Sequence, residues 1–530
     1  MRLTFLTFAQ TVGLAVLGVL FGACPATPEM TATDTLDTTE TGCDPGTLDC
    51  VCYSDDTCGP GLVCASNQCI GDPSVTTMGP STSSPTTTGP TTESDTAGTT
   101  TMDTETVGTT EGSECDPQQG LVNEGCDEGT YCTAEGVCLG CSAISCVDVS
   151  AEVGADIPVC DLNSELCVEC TADDASACEG TTPVCAASSN TCVDCTEHDQ
   201  CGSGACNLFS GACFPDNALW VDKTAPCSGA DGSEAKPYCE IQDAVSTVGK
   251  SDPTIVWVIP SGVYENKVSV ESSRIIAIRS SMSADVRLET DGTDALLVNQ
   301  GSITLLDHIK VGYPSEDRGI VCSGGSLWAD DSSVVERKEL GVDGMSNCKL
   351  VLRRSKIANN DGGGILLSGG SLRLENSFVV ANGGGVSEIG GIATSQGAEL
   401  NLLYSSVILN QAQDELKLSM GCSPDTSGGV RNSILLGTTG GGASFECGGL
   451  EYEYNALDNG KIGGTNTYIE GGLDPTWFVK PQTGDFHLKS GNEEFQDVAL
   501  WINGDPSGDI DGDARPTVDG TVDYAGADIP

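Results

Sequence analysis

Short runs of alternating apolar and polar residues, separated by Gly and Asn, fill the chain from Ala218 onwards. Four segments in this region align without gaps; they begin at Leu327, Leu350, Leu372 and Leu400, which lie 23, 22 and 28 residues apart. In each segment the fifth residue after the Leu is Ser and the seventh is Val or Ile. Alternation of this kind makes strands, and a repeat near 22 residues returns each strand above its predecessor. The pattern therefore predicts a parallel β-helix.

The aligned segments also predict what lies at the corners of the coils. Asn follows ten residues after the Leu in three of them, at Asn360, Asn382 and Asn410. Side chains at equivalent positions of successive coils stack, so we expect these amides to form a hydrogen-bonded ladder.

Residues near both ends of this region resemble those of a known fold family. The segments Trp220-Val221-Asp222 and Ile241-Gln242-Asp243-Ala244-Val245 look like the opening of right-handed parallel β-helix proteins with the pectin-lyase-like fold. The segments 485–488, 509–516 and 523–528 resemble the C-terminal pattern of that family. The resemblance covers residues 217–530, and it implies that the segment at Ile241 is a short amphipathic helix capping the coil.

The chain has 29 cysteines, and their distribution predicts disulfides. Six fall in 43–69, sixteen in 115–213 and six between Cys227 and Cys447, so that only Cys24 is left over. The region 115–214 repeats a four-cysteine pattern every 20–25 residues, which indicates an elongated array held by bridges rather than by a core. Its C-x2-C pairs resemble zinc knuckles or redox sites, but an exported, cysteine-dense segment favours structural disulfides.

Spacing alone suggests the pairing of the last six cysteines. Cys227 and Cys239 would close the loop that leads to the capping helix. The other two pairs, Cys322 with Cys348 and Cys422 with Cys447, are each separated by about one coil and would join neighbouring coils.

The first 23 residues have the outline of an export signal: Arg2 precedes an uncharged, mostly apolar stretch that ends in small residues. The segment Leu20-Phe21-Gly22-Ala23-Cys24 resembles a lipobox, although Phe21 stands where the family usually has an aliphatic residue. This resemblance implies a lipid on Cys24 that anchors the protein in a membrane. The alternative is an ordinary cleaved signal with Cys24 free or disulfide-bonded. Both predict an exported protein, and the lipid favours the bacterial outer membrane or cell surface.

Two Thr-rich segments separate the Cys-rich regions. A tether at 24–42 and a linker at 71–114 contain almost no residue that could be buried, so we expect extended, flexible spacers around the Cys-rich mini-module at 43–70. The chain is therefore predicted to be all-β: a right-handed parallel β-helix preceded by small disulfide-rich modules and disordered linkers.

Charge excludes one class of function. The chain has 77 acidic and 23 basic residues, a net charge of −54. Such a surface repels phosphate backbones, so we expect no nucleic-acid partner.

A charged ladder is the main candidate for chemistry. Three residues after the aligned Leu, the first three segments have Asp330, Arg353 and Glu375, and Arg373 lies beside them. At the next position the same segments have Asp331, Arg354 and Asn376. Carboxylates two coils apart, roughly 10 Å, approach the separation of an inverting glycosidase pair. The alternative is a solvated ladder of ion pairs that supports the stack.

The remaining candidates for chemistry are an acidic run and three histidines. Asp509, Asp511 and Asp513 have the odd-position carboxylates of a calcium loop but lack its glutamate, and a hydrogen-bonded turn in which Arg515 meets an Asp is the alternative. Otherwise no cofactor is expected. His198 is expected to be solvated, and His308 and His487 to be packing or surface residues.

Two functions are consistent with these features. The first is a non-catalytic β-helix module, either a structural one or one that presents a face for binding or adhesion to a carbohydrate or a surface protein. The second is a polysaccharide lyase or glycoside hydrolase, although the sequence lacks the Gly-His-Gly and Arg-Ile-Lys motifs of polygalacturonase-like enzymes and the Trp-Ile-Asp-His segment of pectate lyases.

Overall fold

In the computed structural model, the described residues are 62–65, 68–71 and 115–530, the last range without 120, 123–125, 128–129, 260, 313–315, 385–386, 414–418 and 438–443. The predicted leader, the lipid site Cys24, the tether and the linker beyond Gly71 lie outside the described residues. Of the mini-module, the structure describes an antiparallel pair of strands, Leu62–Ala65 and Gln68–Gly71.

Three stacked parallel sheets form a β-helix from Ala218 to Tyr468, as the repeat pattern predicted. Each coil passes through sheet 1, sheet 2 and sheet 3 in turn. The strands of sheet 1 are Ala218–Val221, Thr254–Val258, Ile275–Arg279, Ile303–Asp307, Ser326–Asp330, Lys349–Arg353, Ser371–Glu375, Glu399–Leu403, Ser427–Arg431 and Glu451–Glu453. Those of sheet 2 are Gly262–Tyr264, Val286–Leu288, Ile309–Gly312, Ser333–Val335, Lys356–Ala358, Phe378–Val380, Ser406–Ile408, Ile434–Leu436, Ala456–Leu457 and Thr467–Tyr468. Those of sheet 3 are Val268–Val270, Leu296–Val298, Ile320–Ser323, Val342–Met345, Ile365–Ser368, Ile392–Ser395, Met420–Cys422 and Phe445–Glu446.

The interior of the coil is built from the residues that the alignment brought together. The four aligned Leu residues are neighbours in sheet 1 and are fully buried. The predicted Asn ladder is confirmed: Asn360 Nδ2 donates to Asn382 Oδ1 at 2.9 Å, and Asn382 Nδ2 donates to Asn410 Oδ1 at 3.0 Å. Because all three amides are fully buried, these bonds satisfy polar groups that could not reach water.

The first coil is closed by the predicted cap. The helix Ile241–Thr247 buries Ile241, Ala244 and Val245 in the same core as the coil interior. A disulfide joins Cys227 to Cys239 in front of it, and two further disulfides, Cys322–Cys348 and Cys422–Cys447, join residues about one coil apart. These are the pairs that the spacing suggested.

The array at 115–213 consists of four modules with one shared connectivity. In each module the first cysteine pairs with the third and the second with the fourth: Cys115–Cys132 and Cys126–Cys138, Cys141–Cys160 and Cys146–Cys167, Cys170–Cys185 and Cys178–Cys192, Cys195–Cys206 and Cys201–Cys213. Each C-x2-C pair therefore joins the end of one module to the start of the next. Among its described residues the array also contains one α-helix, Cys146–Val153, and three 3-10 helices, Pro117–Gln119, Cys141–Ala143 and His198–Gln200. It has four antiparallel hairpins: Tyr131–Cys132 with Cys138–Leu139, Val159–Asp161 with Leu166–Val168, Val184–Ala186 with Thr191–Val193, and Cys206–Asn207 with Ala212–Cys213.

The last module of the array packs on the outer face of sheet 1. Ala205 and Phe214 share a buried cluster with Ile255, Ala277 and Leu305 of the first coils. One column of side chains on the outer face of sheet 1 is apolar where the module covers it and becomes polar beyond the cover. From the first strand to the last, this column consists of Ala218, Ile255, Ala277, Leu305, Trp328, Val351, Arg373, Asn401, Gly429 and Glu451. The array and the β-helix thus form one compact unit, rather than a spacer followed by a separate domain.

The C-terminal segment folds back over the outer face of sheet 2. Its strands Phe478–Lys480, Asp485–Leu488, Ala499–Trp501 and Thr521–Asp523 form two antiparallel pairs. Phe478, Phe486 and Phe495 are buried against outward residues of the later coils, among them Phe378 and Ile434. The guanidinium of Arg515 lies 3.9 Å from the Tyr404 ring centre and pairs with Asp523 at 3.0 Å. No helix among the described residues is long and apolar enough to cross a membrane.

Candidate functional site

The charged ladder is in the register that the alignment predicted. Asp330 faces Arg353 in the next coil, and Arg353 faces Glu375. Two earlier coils extend the same column with Arg279 and Asp307. The column lies at the last residue of each sheet 1 strand, immediately before the turn to sheet 2.

The centre of this ladder is buried, which corrects the expectation of a solvated one. Asp330 is fully buried and Arg353 is 7% exposed. Arg353 Nε donates to both oxygens of Asp330 at 3.1 Å, while its two terminal nitrogens donate to Glu197 of the array at 2.7 and 2.9 Å. The last array module covers the ladder, so Asp330 and Arg353 hold two parts of the fold together and have no access to a substrate.

The other two predicted catalytic residues lie outside this network. Arg373 Nη2 and Glu375 Oε2 are 2.5 Å apart, and the Arg373 side chain is half exposed. Arg373 lines a shallow depression on sheet 1, whereas Glu375 lines a different cleft. The four residues therefore do not form one site.

An open groove runs instead along the turns between sheet 1 and sheet 2. Its first half is a cleft of about 540 Å³, bounded by the last array module on one side and by residues 506–512 of the C-terminal segment on the other. The floor is one column of turn residues, His308, Asp331, Arg354 and Asn376, all with positive φ. Because the same turn recurs in four successive coils, it places four polar side chains at equivalent positions, one above the other.

A histidine–carboxylate pair occupies this floor. His308 Nδ1 lies 2.6 Å from Asp307 Oδ1, and the buried Asp307 also accepts bonds from Arg279 Nε and Nη2 through Oδ2. The hydrogen bond to Asp307 raises the pKa of His308 above its usual value. Although burial opposes its ionisation, Asp307 keeps a pKa below the usual range through the bond from His308 and the charge of Arg279. A buried carboxylate thus orients the imidazole in the open cleft.

Asp331 is the second titratable group on the floor. Burial and the neighbouring carboxylate of Asp330 raise its pKa to about 6. Ligand atoms of Asp307, His308 and Asp331 lie within 4.8 Å of one another. This spacing could suit a cation, but the oxygens of Asp307 already bind Arg279 and His308. Titratable groups with raised pKa values that face an open cleft are typical of functional sites.

The second half of the groove is a cleft of about 350 Å³ over the uncovered part of sheet 2. Lys310 and Lys356 line it from one outward column, two coils apart, with Ser333 between them. Burial lowers the pKa of Lys356; the charge of Asp485 opposes this shift, and the charge of Lys310 adds to it. His487 and Asp511 of the C-terminal segment form the opposite side.

His198 is buried, contrary to the expectation that it is solvated. It is 7% exposed, and its Nδ1 accepts a bond of 3.1 Å from the backbone N–H of Cys206. Burial, assisted by the charge of Arg279, lowers its pKa to about 4. The imidazole therefore stays neutral and fixes the loop that carries it.

This burial predicts a pH effect on stability. The unfolded chain protonates His198 near pH 6.5, whereas the folded protein resists protonation until about pH 4. The free energy of unfolding should therefore fall as the pH is lowered through this window. Urea denaturation at pH 7, 5.5 and 4.5 measures the slope, and His198→Gln, which cannot titrate, should make it shallower. An identical slope in the variant would contradict the prediction; His487→Gln provides a control at a histidine whose pKa is raised.

The acidic run has the contacts of a hydrogen-bonded turn. Asp509 Oδ1 accepts from the backbone N–H groups of Asp511 and Asp513 at 2.9 Å each, and Oδ2 accepts from that of Ile529. Arg515 meets Asp523, which lies outside the run. Asp511 faces His487 at 3.3 Å.

The sequence contained part of the signal for the groove. The position one beyond the ladder reads Asp331, Arg354 and Asn376 in the aligned segments, and these are the residues on the floor. His308 belongs to the preceding coil, where Thr304 replaces the aligned Leu and Ile309 replaces the aligned Ser. That coil therefore does not match the aligned pattern, and the pattern did not identify His308 as part of the column.

Parts of the chain are similar to known proteins, and none of these similarities establishes a function. Residues 95–219 match a family of unknown function, DUF8331. Among curated protein sequences none matches the chain. The β-helix is similar to the solved pectate lyase Pel9A, with 11% identity over 57% of this chain and 96% of that chain and a TM-score of 0.36. An alginate lyase from Paenibacillus sp. str. FPU-7 shows 14% identity over 46% and 87% with a TM-score of 0.33. A pectate lyase from Bacillus sp. N165, solved with trigalacturonate, shows 10% identity over 47% and 86% with a TM-score of 0.32.

Proposed function

We propose that the protein is a bacterial cell-envelope lipoprotein that binds a polysaccharide chain in the groove between the last array module and the C-terminal segment. One observation carries the proposal: the groove remains open and lined by polar and charged side chains, while the apolar outer columns on both sides of it are covered. A long, polar channel suits a linear polymer rich in hydroxyl groups better than a small apolar ligand.

The charges along the groove favour a chain that carries carboxylates. Lys310 and Lys356 have no ion-pair partner within 4 Å among the described residues, although acidic residues outnumber basic ones by 77 to 23. Two lysines held in one column repel each other, and an anion bound between them relieves this repulsion. The lysine half of the groove would therefore bind sugar carboxylates, and the half with Asp331 and Asn376 would bind hydroxyl groups.

The predicted anchor supplies the location. The 11 disulfides among the described residues indicate an extracytoplasmic protein. A lipid on Cys24 and two Thr-rich spacers would hold the β-helix at a distance from the membrane. The mass of the mature N-terminus tests this anchor.

Binding to a panel of immobilised polysaccharides tests the function, with polygalacturonate and alginate as acidic polymers and dextran as a neutral one. We expect the wild type to prefer the acidic polymers and Lys310→Ala/Lys356→Ala to bind them about tenfold or more weakly, the loss that 1.4 kcal/mol gives. The matched control is Lys461→Ala/Lys480→Ala, which removes the same charge at exposed positions away from the groove. Equal losses of affinity in both double variants would show only an effect of net charge and would contradict the lysine-lined site.

A second candidate function, cleavage of the bound chain, is favoured by the His308–Asp307 pair beside Asp331. His308 Nε2 could take the proton next to a sugar carboxylate, the glycosidic C–O bond would break as the C=C bond forms, and protonated Asp331 could return a proton to the leaving oxygen. Incubation with each polymer, with detection of the unsaturated product, tests this function. Loss of product in His308→Ala with binding retained would support it, whereas product formation by this variant would exclude this role for His308.

A further inference from the structure

The loop 197–199 of the last array module forms one wall of the groove. Glu197, His198 and Asp199 all line the cleft of about 540 Å³, facing the turn column across it. They lie more than 100 residues before His308 in the chain, so this wall belongs to the disulfide array and not to the coil.

This wall is rigid for three reasons. The loop contains the 3-10 helix His198–Gln200, whose Gln200 Oε1 accepts from the backbone N–H of Glu197 at 3.0 Å. The imidazole of His198 holds the backbone of Cys206. Two disulfides, Cys195–Cys206 and Cys201–Cys213, close the module around it.

The wall is also locked to the coil. Glu197 receives bonds from Arg353 at 2.7 and 2.9 Å and from Arg354 at 3.2 Å, and Arg353 also donates to the carbonyl of Thr196 at 3.0 Å. Arg354 is itself part of the groove floor. One carboxylate of the array thus positions a side chain that faces the ligand.

A second carboxylate of the wall is free to act on a ligand. Asp199 is exposed, and among the described residues its side chain has no ion-pair or hydrogen-bond partner. A fixed carboxylate on one side of a polar cleft accepts hydrogen bonds from hydroxyl groups.

We propose that the last disulfide module is part of the ligand-binding site: Asp199 accepts hydrogen bonds from sugar hydroxyls, and Glu197 positions Arg354. This inference rests on the proposed polysaccharide-binding function and assigns one half of that site to the array.

Binding to immobilised polygalacturonate by the full mature chain tests the carboxylate. We expect Asp199→Asn to weaken binding about tenfold, a loss that corresponds to 1.4 kcal/mol. Asp194→Asn is the matched control, since Asp194 is exposed one residue before the same module but does not line the cleft. Equal affinities of the two variants would overturn the role of Asp199.

A pair of disulfide variants tests the wall as a whole. Cys201→Ser/Cys213→Ser should lose affinity, whereas Cys141→Ser/Cys160→Ser, two modules earlier, should keep the affinity of the wild type. Retained affinity in both variants would overturn the inference while the proposed function stands. Failure of the wild type to bind any polymer of the panel would overturn the proposed function and the inference together. Circular dichroism of each variant shows whether the β-helix is intact.

Discussion

Replacing Arg353 with Met is expected to lower the free energy of unfolding by roughly 3 to 5 kcal/mol, the loss typical of breaking a buried ion pair by removing one partner. The variant would leave Asp330 fully buried with one remaining cation, Arg354 Nη2 at 2.9 Å, and would leave Glu197 of the array paired with Arg354 alone. Met preserves most of the packing volume, so the loss would report charge rather than a cavity.

Chemical denaturation measures this effect, and Arg373→Met is the control. Arg373 forms a half-exposed pair with Glu375, for which a change below about 1 kcal/mol is expected. Adding Asp330→Asn to Arg353→Met should restore part of the stability, because it removes the uncompensated charge. Similar small losses in the Arg353 and Arg373 variants would show that the ladder is solvated after all.

Replacing Asn382 with Ala is expected to cost about 3 kcal/mol, because each buried polar group left unsatisfied costs about 1–3 kcal/mol. The side chain of Asn382 accepts from the backbone and the side-chain amide of Asn360, and it donates to Ile357 O and to Asn410 Oδ1. Removing it would interrupt the ladder at its middle coil.

Thermal and urea unfolding of Asn382→Ala measure this cost against Asn503→Ala. Asn503 is exposed, and its backbone rather than its side chain forms the hydrogen bond to Asp519, so little change is expected there. If Asn382→Ala unfolded like the wild type, the ladder would contribute nothing to the stability of the coil.

These two residues differ in how well the sequence predicted them. Asn382 recurs at the same position as Asn360 and Asn410, and recurrence is enough because equivalent positions of a coil must meet. Arg353 was placed in the correct register for the same reason. Its burial was not predictable from the repeat, because the group that covers it, Glu197, lies 156 residues earlier in the chain.

The groove, like the burial of Arg353, could not be predicted from the repeat. The column of Asp331, Arg354 and Asn376 was visible in the alignment, but nothing in the repeat distinguished it from the ladder one residue before it. The difference arises at the turn, where the chain takes a positive φ and points these side chains into the space between the array and the C-terminal segment. The spacing of the cysteines, likewise, suggested which pairs join neighbouring coils and left the pairing within the array open.

The sequence by itself determined the coil, its interior columns and the disulfide-dense, extracytoplasmic character of the chain, because these depend on local periodicity and on how many cysteines each region contains. Only the tertiary structure decided which charged column is buried and which is open to a ligand. The physical reason is that exposure depends on which distant segment packs over a given face. Here the array covers the first coils of sheet 1, the C-terminal segment covers the later coils of sheet 2, and the groove is the space that both leave open.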